Sequence, residues 1–124
     1  LDTMGETVDR ARATGDAELG DFADALAAAA GRIATTTATV WRDADPEAAL
    51  ANSSAYLEAF GHVVLAWIWL EQAVAAARGS EDFHRGKRVA ARYFFHWELP
   101  RTAPLFDLLD AMDRTTTDLD DAWL

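Results

Sequence analysis

Apolar residues in this chain recur at helical intervals almost everywhere, and no stretch alternates apolar and polar as a half-buried strand does. The clearest case is Leu19, Phe22, Leu26, Ala29, Ile33, Thr36 and Val40, spaced three, four, three, four, three and four residues apart. That spacing winds into one stripe along one side of an α-helix. It predicts a first long helix from about Asp16 to Val40, with Asp16, Glu18 and Asp21 at the end where negative charge suits the helix dipole. The Thr35–Thr39 run has low helix propensity, so the helix is expected to loosen there.

Asp43-Ala44-Asp45-Pro46 reads as a turn, with Asp45 as N-cap and Pro46 as first helical residue. A second helix is expected from Pro46 to about Arg78, with Leu57, Phe60, Val64, Trp67, Glu71 and Val74 on its main stripe. Leu65, Ile68, Trp69 and Leu70 make it apolar around much of its circumference, which fits a central helix. Arg78-Gly79-Ser80 reads as a stop and restart, Gly79 after one helix and Ser80 capping the next. A third helix is expected from about Glu81 to Asp113, with Phe83, Gly86, Ala90, Tyr93 and Trp97 on or near its buried side. Pro100 lacks the N–H that a helix interior needs, so a kink or break is expected near Leu99. Leu105, Leu108, Leu109 and Met112 resume the pattern. Residues 1–13 suggest a short helix ending near Gly15, and Asp118–Leu124 an acidic tail. The expected fold is all-α: an up-down antiparallel bundle of three long helices, the third kinked near Pro100, with short terminal helices, in a single domain over residues 1–124.

Composition narrows the function. The 124 residues carry 21 acids against 11 bases, a net charge of −10. A general nucleic-acid binder needs a positive surface to displace counterions, and an anionic membrane repels an acidic one. The absence of cysteine excludes disulfides, thiolate nucleophiles and Cys-based zinc sites, and is compatible with the cytoplasm. The longest apolar run, Val63–Leu70, is short of the roughly 20 residues of a membrane span. The start, Leu1-Asp2-Thr3-Met4, has neither a basic region nor an apolar run of a signal peptide, and its lack of an initiating Met suggests a segment of a longer chain.

Few residues suggest chemistry. Glu81 and His84 form one Glu-x-x-His pair, whereas a di-metal bundle needs two such pairs plus further carboxylates. Glu58 and His62 stand four apart, away from the expected stripe. Glu71 lies within the stripe, where a carboxylate serves either as a buried acid–base group or, more commonly, as the partner of an Arg on a neighbouring helix. No Walker A motif and no Gly-x-Gly-x-x-Gly loop is present. Six of the eleven basic residues fall between Arg78 and Arg101. Arg85-Gly86-Lys87-Arg88 superficially suggests an RNA-recognition strand, but its surroundings are helical.

One resemblance covers residues 46–101. "PEAALANSSAYLEAFGHVVLAWIWLEQAVAAA" followed by "FHRGKRVAARYFFHWELPR" resembles the extra C-terminal domain of long bacterial acyl-CoA dehydrogenases. The shared pattern consists of Ala55, Tyr56, Leu57, Phe60, Gly61, Val64, Ala66 and Trp67 on one helix. On the next it consists of Phe83, Gly86, Lys87, Ala91, Arg92, Phe94, Leu99 and Pro100. Trp97 departs from it, since a smaller or polar residue, often His, is expected there. The resemblance implies a parent flavoprotein that oxidises acyl-CoA thioesters at their α and β carbons with FAD. Catalytic carboxylate and flavin site would lie in preceding core domains, so this chain would hold no catalytic, cofactor or metal residue. Its partners would be those core domains and a second subunit, with acyl-CoA reached through the parent and no nucleic acid or membrane span involved. Trp69, Arg85, Lys87, Arg88, Phe95 and Trp97 are the candidate interface residues. A free-standing helical interaction module is the alternative, and a small enzyme or ligand carrier using Glu71 or Glu81/His84 a third reading.

Overall fold

A computed structural model describes residues 2–124, and among them every regular element is helical. The expected all-α class therefore holds. Helix α1 spans Asp2–Ala13, α2 Ala17–Val40, α3 Pro46–Leu50 and α4 Ser53–Ala76. Helix α5 spans Asp82–Tyr93 and continues through a π turn (Phe94–Glu98) and a 3-10 turn (Leu99–Arg101) into α6, Thr102–Asp110. A last 3-10 turn covers Asp121–Trp123.

Helix α2 matches its sequence stripe. Asp16 caps it, accepting the Leu19 N–H at 3.0 Å. Leu19, Phe22, Leu26, Ile33, Thr36 and Val40 are buried. The threonine run stays helical, contrary to expectation. Its hydroxyls bond backward, Thr37 donating to the Ile33 carbonyl at 2.7 Å and Thr39 to that of Thr35 at 3.0 Å. Thr36 is itself a core residue. Gly15, with φ of 73°, makes the left-handed turn between α1 and α2 that a side chain would resist.

The expected second helix is divided. Asp45 caps α3 by accepting the Glu47 N–H at 3.1 Å, as predicted, but the chain breaks at Ala51-Asn52 before α4. Asn52 donates its side-chain amide to the Asp113 carbonyl at 2.9 Å, which ties this break to the end of α6. At the other end of α4, Ser80 is not the next cap; Glu81 holds that position, without a side-chain bond. Gly79 has a different use. A Cβ there would stand 2.3 Å from Nδ1 of His84, so the glycine makes room for that ring.

Helix α4 is central, packing against α1, α2, α5 and α6, but not through the predicted stripe. Its buried residues are Ala59, Val63, Ala66, Leu70, Ala73 and Ala76. Leu57 is 67 % exposed and Phe60, Leu65 and Ile68 are also exposed. Alanines let four neighbours approach closely, and the larger side chains are left to the flanks and the outside. Among the described residues α4 is the one helix long and apolar enough to cross a membrane, with a mean hydropathy of 1.3 over 18 residues. The eight-residue run used in the sequence reading understates that length, because scattered polar residues interrupt it.

The third helix departs from α geometry at Phe94, six residues before Pro100. Proline cannot donate to the carbonyl four residues back, and its ring crowds that carbonyl. A π turn widens the spiral by one residue and moves the conflict aside. The extra residue also rotates the helix. Ala91, Phe94, Phe95 and Leu99 face the core, while Phe83, Tyr93 and Trp97 are exposed. The buried side expected for Phe83, Tyr93 and Trp97 is the outer side; for Phe83 and Tyr93, which precede the π turn, this is already set within α5, whose core side runs through Ala91. In α6, Phe106 and Leu109 are buried and Leu108 points outward.

Candidate functional site

The basic stretch of α5 resolves into two groups. Arg88 reaches Asp16 at 3.0 Å and Glu18 at 3.2 Å, and Arg92 reaches Glu18 at 2.6 Å. Both acids sit at the N-terminus of α2, which already favours negative charge. The Asp16 carboxyl is held below its ordinary value of 3.8 by the Leu19 N–H and then by Arg88. Glu18 is held below 4.5 by hydrogen bonds from Arg92 and Arg88. These arginines are therefore committed within the chain, and Arg88, an interface candidate from the sequence, is half-buried in an internal cluster.

Arg85 and Lys87 remain outside that cluster. Arg85 is exposed, with only Asp82 near it at 3.8 Å. The Lys87 ammonium lies 5.9 Å from the centroid of the Trp69 ring and 5.3 Å from that of Phe83, within cation–π range. Of the aromatic candidates, Trp97 is 68 % exposed and stacks on Tyr93, centroids 6.0 Å apart. Trp69 is half-buried. Phe95 is a correction: only 4 % of it is exposed, and it stacks on Phe22 at 4.6 Å, so it belongs to the core. It lies one helical turn after the buried Ala91, on a side that the expected stripe through Phe83, Ala90 and Trp97 did not include.

The candidate chemical groups have structural partners. Glu71 accepts hydrogen bonds from Thr7 and from Arg10, both on α1. Thr7 also accepts the Trp67 indole N–H at 2.8 Å. The carboxylate is thus one member of an α1–α4 ion-pair network, the structural alternative set out above. Thr7 and Arg10 were not legible as its partners, because nothing local links residues more than sixty positions apart. His62 meets Glu58 through the backbone, its Nδ1 lying 3.1 Å from the Glu58 carbonyl, while its Nε2 lies 3.4 Å from the Glu98 carboxylate across the α4–π turn boundary. His84 packs edge-on against Phe83, and Glu81 is not within ion-pair distance of it among the described residues. No group of three or more metal-ligating side chains occurs among the described residues.

One hollow, of about 550 Å³, is lined by Arg10, Ala13, Thr14, Asp16, Val74, Ala77 and Arg78. It has no aromatic wall and no apolar slot for a flat ring system. The described surface is instead distinguished by its apolar ridges. On α4 these are Leu57, Leu65 and Ile68; on α5 and the π turn, Phe83, Val89, Tyr93 and Trp97. Singly exposed apolar residues are ordinary, but consecutive turns of two adjacent helices are what an interface presents.

The sequence model of the family described as acetyl-CoA dehydrogenase C-terminal like matches residues 1–120. No curated protein and no solved structure matches the chain.

Proposed function

The chain belongs to the acetyl-CoA dehydrogenase C-terminal-like family, and from that premise we propose that it is the non-catalytic helical domain of a longer, cytoplasmic, FAD-dependent acyl-CoA dehydrogenase. The parent would oxidise acyl-CoA thioesters at the α and β carbons, with its catalytic carboxylate and flavin in preceding core domains. The role of residues 1–124 is architectural: packing on that core and shaping the substrate mouth or the subunit contact. One observation carries the reading. The large aromatic residues of α5 and the π turn, Phe83, Tyr93 and Trp97, face outward beside Lys87 and Trp69. A domain with its own core has no internal use for them, whereas a docked core domain covers them. Arg85 and Lys87, outside the α2–α5 cluster at the edge of that ridge, suit acidic residues of the partner; Arg88 contributes through the shape of the α2–α5 junction.

The intact natural polypeptide tests this directly. A protein several times larger than 13.6 kDa, yellow from bound flavin and reducing it with acyl-CoA, is the expected result. A colourless polypeptide of this chain's own mass sinks the reading and leaves an interaction module, for which the same ridge would serve. Removing these residues from the parent is expected to change thermal stability and KM for acyl-CoA while leaving the flavin spectrum intact.

A further inference from the structure

We infer that the hollow between the end of α4 and the start of α5 is a binding site for a small carboxylic acid with an apolar tail. The hollow holds about 420 Å³ and is lined by Gln72, Ala75, Ala76, Phe83, His84 and Lys87, within the size range of small-molecule sites. Two helix faces build it. On α4, Ala75 and Ala76 stand three and four residues after Gln72; on α5, Lys87 stands three after His84 and four after Phe83. Residues at those spacings share one face of a helix. The short connection from Ala76 to Asp82 sets the two faces side by side, and Phe83 with the two alanines makes the wall apolar.

The polar groups of this hollow lack partners of their own. Arg10, Asp16, Arg12 and Arg32, which line three other hollows, are each paired within the chain. Lys87, the one lysine beside ten arginines, has no acid within ion-pair distance among the described residues, and Asp82 lies by Arg85 instead. The Trp69 and Phe83 rings, 5.9 Å and 5.3 Å from its ammonium, hold the charge in place without an acceptor for its hydrogens. The Nδ1 of His84 is buried against Gly79 with no hydrogen-bond partner. Keeping the proton off that buried nitrogen assigns it to Nε2, which becomes a donor. Gln72 adds the N–H groups of its amide. Charge selects among anions. Glu81 and Asp82 directly precede Phe83 and repel a phosphate dianion more than a monoanion. One ammonium balances one carboxylate, whose two oxygens accept from Lys87, His84 and Gln72 while its alkyl chain lies against Phe83, Ala75 and Ala76.

The inference does not depend on the parent enzyme and is tested on the chain itself. Hexanoate titrated into the chain at neutral pH is expected to shift the amide resonances of the hollow saturably in heteronuclear NMR, with a Kd of about 1 mM. Acetate, which lacks the tail, and hexanol, which lacks the charge, should each bind at least about tenfold more weakly. Lys87→Gln should weaken hexanoate binding by at least about tenfold and Phe83→Ser by about threefold. Glu81→Gln, which removes a like charge, should strengthen it by about twofold. None of these three side chains is part of the buried core, and an unchanged melting temperature confirms that each variant folds. Absence of saturation up to about 50 mM hexanoate overturns the proposal, as does an affinity unchanged by Lys87→Gln, or inorganic phosphate binding as tightly as hexanoate. A flavin-bearing parent whose helical domain ignores hexanoate would keep the proposed function and lose this inference; a colourless polypeptide of this chain's own mass that binds hexanoate would do the reverse.

Discussion

At the residue scale, Asp16 and Glu18 make the α2–α5 junction sensitive to acid. Both carboxyls ionise more readily in the folded chain than in the unfolded one. A depressed folded pKa contributes stability that is present above the unfolded value and lost as pH falls through the folded one. Thermal stability should therefore drop as pH falls below about 4.5. Glu18→Gln should lower the melting temperature at pH 7 and converge on the unsubstituted chain as pH falls through the depressed folded value of Glu18; a constant offset between the two curves would refute this. The side chains are partly solvated, so added salt should shrink the difference. A second contrast concerns Phe95 and Trp97, two residues apart and oppositely placed. Phe95→Ala should cost about 3–5 kcal/mol in chemical denaturation, as for a buried aromatic. Trp97→Ala should stay within about 0.5 kcal/mol, as for an exposed one. Equal costs would contradict the register of the π turn. The sequence showed that this stretch was helical and aromatic. It did not show which aromatic faced inward, because the core side of α5 runs through the small Ala91 while the large Phe83 and Tyr93 lie outside.

At the element scale, α2 was legible and α4 was not, for a reason that lies in side-chain size. In α2 the large apolar residues are also the buried ones, so the stripe reads off correctly. In α4 the core side is mostly alanine, whose modest hydrophobicity barely registers beside Leu, Phe and Trp. A pattern weighted by size selects the flanks and the outside. Packing against four helices imposes this choice, since a central helix bearing Leu at Ala59, Ala66 or Ala73 would push its neighbours apart. Ala66→Leu should accordingly destabilise by about 1–3 kcal/mol through overpacking, while Ile68→Ala on the outer face should change monomer stability by no more than about 0.5 kcal/mol. Denaturant titration of both variants under monomeric conditions checks this. A larger loss from Ile68→Ala would restore the size-weighted stripe. The break at Ala51-Asn52 has a similar origin: its partner, the Asp113 carbonyl, lies sixty-one residues away, beyond any local signal.

At the scale of the whole molecule, the family was more legible than the packing. A joint pattern of glycines, aromatics and a terminal proline identifies relatives even where no single residue has a function that can be named. It survives a wrong assignment of inside and outside, because matching a residue pattern does not depend on which way each side chain faces. That is also why the candidate interface mixed Trp97, which is outside, with Phe95, which is not. The consequence is a chain whose apolar half, 51 % of residues, divides between an internal core, alanine-rich along α4, and outward ridges of large side chains. A folded monomer of this kind should bind an apolar dye such as anilinonaphthalene sulfonate without any loss of packing. Fluorescence should rise on mixing at neutral pH while the near-ultraviolet signal of the five tryptophans remains that of a fixed structure, which separates ridge binding from a molten globule. Ile68→Glu and Trp97→Gln should each reduce the dye signal without lowering the melting temperature, because neither residue supports the core. If the dye signal were absent, or rose only as the tertiary signal disappeared, the ridges would not be accessible in the native chain, and the case for docking through them would fail.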